Sequence, residues 1–158
     1  MSEVEEGMVR VQVTGIAMAG TPQGPIPVAL LEDDQKRVLL LVMDGVQALT
    51  IQTMLNGESP QSTHSFILEL LSNLNATVKR AVIYGVSESR FLSKIALETS
   101  EGLKEIDGRA SDIVTLAFVA KAPIMVSSEV MDKVAISKSE LYRPPEESES
   151  AREDQEAS

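Results

Sequence analysis

The chain of 158 residues contains no cysteine and no tryptophan, a single histidine, two tyrosines and three phenylalanines. Without cysteine there can be no disulfide, no thiolate zinc site and no cysteine nucleophile, so stability has to come from packing. So few aromatic rings leave little of the stacking platform that single-strand nucleic-acid binders usually carry. Apolar runs are short of the roughly 18 residues expected of a membrane span, and the acidic, polar start lacks the charged and apolar regions of a signal peptide. These absences imply a cytoplasmic protein with no membrane partner. Also missing are a glycine-rich phosphate loop, paired histidines on one helix and a nucleophile elbow.

Charge of one sign is abundant but unevenly placed. The formal net charge is −10, yet Gly7 to Arg143 carries fifteen acids against thirteen bases. The excess lies in Glu3, Glu5 and Glu6 and in the stretch from Pro144 to Ser158, where Glu146, Glu147, Glu149, Glu153, Asp154 and Glu156 face only Arg152. A segment this acidic and this poor in apolar residues is expected to be disordered. The organisation predicted is a flexible N-terminus over 1–7, one domain over 8–143 and an acidic tail over 144–158. The nearly neutral domain presents no basic face for tight, sequence-independent binding of phosphate backbones, although transient contact with RNA stays open. The tail can solubilise the domain, shield it from nucleic acid or dock on a basic protein partner.

The apolar pattern predicts an α+β domain. Val9, Val11 and Val13 alternate with Arg10, Gln12 and Thr14, as a half-buried strand requires. After the turn residues Thr21 to Pro25, Ile26 to Leu31 and Val38 to Met43 read as two central strands joined through the polar link Glu32 to Arg37. Asp44 and Gln47 have the spacing of a capping box, opening a helix with Ala48, Ile51 and Leu55 on one face and Asn56-Gly57 at its end. Ser62 or Thr63 caps a second helix, whose Ile67, Leu70, Leu71 and Leu74 are expected to cover the sheet.

Thr77 to Val86 and Arg90 to Glu98 read as a hairpin turning at Ser87-Glu88-Ser89, followed by a strand over Leu103 to Asp107. Ile113, Leu116, Ala117 and Ala120 mark a helix that Pro123 stops; Ile124 to Val126 is a brief strand, and Ser127 or Ser128 caps a last short helix. The predicted order, βββααβββαβα, suits a mixed, mostly antiparallel sheet with packed helices. Met43, Met54, Met125 and Met131 fall within apolar stretches and read as core filling.

Candidate chemistry concentrates in Asp107-Gly108-Arg109-Ala110-Ser111-Asp112, between a strand end and a helix start. Asp107 and Asp112 are oxygen donors suited to a hard cation such as Mg²⁺ or Mn²⁺, Arg109 suits a phosphate, and a helix N-terminus favours anions. The same residues also suit a structural reading, in which Ser111 and Asp112 satisfy first-turn amides and Arg109 pairs with a carboxylate. His64 is the one side chain that titrates near neutrality without tuning, which suits proton transfer, and it also suits an exposed first-turn position. For Asp44 and Gln47 the capping box is the better account.

These segments resemble the bifunctional nuclease (BFN) domain family across most of residues 8 to 136. The strongest piece runs from Ile106 to Asp112, with Leu116-Ala117 and then Ala122 to Val130, and is similar to the family's Asp-x-Arg-Pro-Ser-Asp helix and following strand. Ser62-Thr63-His64 with Leu70-Leu71 resembles its Thr-His helix, and Gly45 to Ile51 occupies the place of its Gly-x-x-Glu-Ala segment. Ala110 stands where the family usually has proline, Gln47 where it usually has glutamate, and Gln61-Ser62 where Pro-Leu usually precede the threonine. The resemblance implies a homodimeric α+β domain with nuclease activity on RNA and DNA. Phosphodiester hydrolysis would then place Asp107 and Asp112 toward a Mg²⁺ or Mn²⁺ ion, Arg109 toward phosphate and His64 in proton transfer. A non-catalytic dimeric interaction module and a small-ligand sensor are the other expectations.

Overall fold

The computed structural model describes residues 7–141. The readings of residues 1–6, of the acidic tail and of the domain boundary at Arg143 lie outside the described residues.

The chain begins with three strands, β1 (Met8–Ala19), β2 (Ile26–Glu32) and β3 (Arg37–Val42), followed by helices α1 (Gly45–Leu55) and α2 (Thr63–Asn73). Strands β4 (Thr77–Ser87), β5 (Arg90–Thr99) and β6 (Gly102–Gly108) come next, then α3 (Ala110–Val119), β7 (Ile124–Ser127), α4 (Ser128–Val134), β8 (Ile136–Ser137) and α5 (Lys138–Leu141). This is the expected α+β order with one addition, the β8–α5 pair. Two strand residues and a single helical turn are too short to show a period, so β8 and α5 left no signal in the sequence.

The strands form one eight-stranded sheet in the order β6-β5-β4-β7-β1-β2-β3-β8. Neighbours are antiparallel except β4 and β7. β1 joins the two halves: Met8 to Val11 pair with β7, and from Gln12 onward the strand pairs with β2. A register shift between Val13 and Gly15 accompanies this exchange of partners, as a bulge does where a strand bends. The β4–β5 turn has positive φ at both Glu88 and Ser89, the conformation that matches the twist of a two-residue hairpin.

Helices α1 to α4 contribute to one core on one face of the sheet, where Ile51, Leu71, Val114, Ala117 and Met131 meet Val11, Leu31, Leu39, Ile83 and Val126. A smaller cluster of Val28, Leu30 and Val38 lies on the alternate residues of β2 and β3, and Leu141 of α5 packs against it. The β2–β3 link also carries a buried charge. Asp33 accepts from the Gln35 and Arg37 amides and from Arg37 Nε, at 3.0, 2.8 and 2.8 Å, and Arg37 reaches on to Asp132 at 2.8 Å.

The expected helix faces need one correction. In α2 the inward residues are His64, Leu68 and Leu71, while Leu70 and Leu74 are 49% and 74% exposed. Leu55 of α1 is likewise exposed. An amphipathic pattern locates a helix but does not settle which of two adjacent apolar stripes turns inward, and here tertiary packing selects the stripe containing the histidine. Met43 and Met131 are buried, and Met54 and Met125 are half-buried.

Candidate functional site

Three helix starts meet at one cavity. α3 touches both α1 and α2, and the cavity between them, about 470 Å³, is lined by Asp44, Val46 and Gln47 from α1, Thr63 and His64 from α2, and Asp112 from α3, with Ile67, Ile113 and Leu116 as its apolar floor. Each of these polar residues is a cap or lies in a first turn. The aligned dipoles of such turns favour negative charge, which the Asp44 and Asp112 carboxylates supply here.

The local sequence explains the placement. Asp44 accepts from the Gln47 amide at 2.7 Å and Gln47 Oε1 accepts from the Asp44 amide at 3.1 Å, a complete capping box. Ser62 and Ser65 make the equivalent pair at the start of α2. α3 has no side-chain cap: Arg109 occupies the cap position, and its guanidinium reaches forward to Asp112 instead.

Asp112 is the centre of the network. Arg109 donates to it from Nε at 2.8 Å and from Nη2 at 3.0 Å, and Gln47 Nε2 donates to it at 2.7 Å. The capping amide thus has a second duty, because its oxygen closes α1 while its nitrogen crosses to α3. The arrangement fixes the Asp112 carboxylate, pairs its charge and ties two helix starts together.

His64 is buried, and its Nδ1 has no hydrogen-bond partner among the described residues. Burial lowers its pKa below the ordinary 6.5, while the charges of Asp112 and Asp44 pull it partly back. The imidazole is therefore neutral at pH 7, the state in which it can accept a proton.

Of the residues singled out in the sequence, the fold brings His64 and Asp112 onto this cavity; Arg109 lines two other openings and is tied to this one through its bond to Asp112. Asp107 lies elsewhere. It sits opposite Lys94 on β6, accepts from the Tyr84 hydroxyl at 3.0 Å, and lines a different opening with Arg109. That bond raises the Tyr84 pKa, since ionisation would break it beside a carboxylate. Ser111 gives its carbonyl to Thr115 and does not line the cavity. Asp44 and Gln47, for which the capping box is the better account in the sequence, are cavity residues as well as caps; a contact across 65 positions reveals it.

The donors do not fit Mg²⁺ or Mn²⁺ as a protein-built cage. Both oxygens of Asp112 already accept hydrogen bonds, Asp107 lines another opening, and no group of three or more His, Asp or Glu side chains converges among the described residues.

No curated protein matches the chain. The bifunctional nuclease domain family matches residues 28–139, a span that takes in all three helix starts at the cavity and the Asp107 to Asp112 turn. On that match, which covers more than half of its length, the chain belongs to the bifunctional nuclease domain family.

Proposed function

We propose that this domain hydrolyses phosphodiester bonds of RNA or DNA at the cavity where α1, α2 and α3 begin. The observation that carries the reading is the juxtaposition of a buried, neutral His64 with an Asp112 clamped by Arg109, where three helix starts meet. Membership of the family supports it.

In this reading the phosphate sits at the mouth, with Arg109 offsetting its charge. His64 takes a proton from the attacking water as the new P–O bond forms. The bond to the leaving oxygen breaks, and that oxygen takes a proton from solvent. Asp112 positions Arg109 and, with Asp44, favours the imidazolium that forms. Because the donors do not make a metal cage, no step is routed through Mg²⁺ or Mn²⁺.

The test is cleavage of end-labelled single-stranded RNA and DNA by highly purified protein, with and without Mg²⁺ or Mn²⁺, beside His64→Ala and Asp112→Asn variants of verified folding. Cleavage by the wild type and its loss in both variants supports the reading. Equal cleavage by all three proteins, or none by any, removes it.

A second reading, a dimeric interaction module, is favoured by a separate observation. Val46 and Leu49 on α1, and Phe66, Leu70 and Leu74 along and just after α2, are all about half exposed or more, apolar side chains open to pairing with another protein surface. Its occupant in that reading is a second copy of the chain.

A further inference from the structure

We propose that Arg90 joins Arg109 in a two-arginine clamp that holds a phosphate of a single-stranded nucleic acid next to the His64 cavity, with the exposed Tyr84 ring receiving a neighbouring base. The inference rests on the nuclease reading of that cavity and extends it to how the strand is positioned.

The sheet edge creates the clamp. β6 stops at Gly108, opposite Ser93, whereas β5 begins earlier at Arg90, so Arg90, Phe91 and Leu92 have no β6 partner. The chain leaves that corner through Arg109 into α3. As a result Arg90, Phe91, Arg109 and Ser111 line one cavity of about 230 Å³, on which no carboxylate of the described residues lies. Arg90, Phe91 and Arg109 also line an adjoining opening of about 510 Å³, which adds Tyr84.

Three features argue for a nucleic acid. Arg90 makes no ion pair among the described residues, so one guanidinium is free for an anion in a chain whose net charge is −10. Tyr84, 41% exposed, stands at this corner with Lys94 Nζ 5.6 Å from its ring centre, and pairing basic groups with a ring is how single strands are held without base-specific hydrogen bonds; Phe91 packs against the core. Arg109 is shared: its guanidinium binds Asp112, which lines the His64 cavity, so one ion pair links this corner to that cavity. The carboxylates of this corner stand on the larger opening, where Asp107 takes the Tyr84 hydroxyl and Glu88 occupies the hairpin turn.

The test measures binding separately from cleavage. Fluorescence anisotropy with a labelled, cleavage-resistant phosphorothioate single strand is recorded over a range of salt for the full chain, for Arg90→Ala and Arg90→Lys, and for Lys79→Ala on β4 as a control for loss of one charge. Arg90→Ala is expected to weaken binding about fivefold and to lower the salt slope by about one, while Arg90→Lys keeps the slope and Lys79→Ala matches the wild type. Equal affinity and slope for wild type and Arg90→Ala overturns the clamp even where cleavage depends on His64. Arg90-dependent binding without cleavage keeps the clamp and removes the nuclease reading. Poly-glutamate of matched charge binding as tightly, with the same dependence on Arg90, overturns the assignment to nucleic acid.

Discussion

Gln47 Nε2 donates to Asp112 Oδ1 at 2.7 Å, so a side chain whose oxygen caps α1 also fixes the carboxylate at the start of α3. A carboxylate at position 47 would keep an acceptor for the Asp44 amide but would face Asp112 with a like charge.

Gln47→Glu is therefore expected to destabilise the domain at pH 7 by about 1–3 kcal/mol, because Gln47 is buried and its donor is lost opposite an acceptor. The deficit should shrink as pH falls toward 4, where the introduced carboxyl can take a proton and restore a donor. Urea unfolding at pH 7 and pH 4.5 measures both; a variant as stable as wild type at pH 7 would show that the Gln47–Asp112 bond contributes little.

If His64 is the base of the proposed hydrolysis, its lowered pKa sets the pH dependence of cleavage. Its burial disfavours the charged ring, so the neutral base is present above the ordinary value of 6.5 and is lost as pH falls through the lowered folded value. The rate should be flat above about pH 7 and drop on the acid side with a midpoint below 6.5. Stability follows the same sign: the unfolded chain takes up the His64 proton first, so this contribution is complete above about pH 6.5 and declines below it. A cleavage profile centred above pH 7 would remove His64 as the base.

Asp33 accepts from two backbone amides and from Arg37, and its side chain is 0% exposed. Asp33→Ala leaves Arg37 without its buried partner and the hairpin amides without acceptors, at an expected cost of about 3 kcal/mol. Thermal unfolding of the variant reads this directly, and an unchanged Tm would contradict it.

The apolar faces of α1 and α2 set an expectation for assembly. If a second copy covers Leu49, Phe66 and Leu70, the wild type runs as a dimer by light scattering, and Leu70→Asp shifts it to monomer with little loss of monomer stability, since Leu70 is 49% exposed. A wild-type monomer, or a variant that remains dimeric, excludes this face as the contact.

The sequence by itself determined the element order from β1 to α4, the capping box at Asp44, the hairpin turn at Glu88-Ser89 and the Asp107 to Asp112 turn, because each is written in adjacent residues by period, cap or turn chemistry. Family membership was legible for the same reason, in ordered local motifs. What the tertiary structure decided depends on distance in the chain. Local pattern could not separate Asp107 from Asp112, five residues apart yet on different openings, or turn α2 so that His64 faces inward and Leu70 outward. Nor could it bring Gln47 to Asp112 or Arg90 to Arg109, since these pairs form only when the sheet sets three helix starts and one strand end side by side.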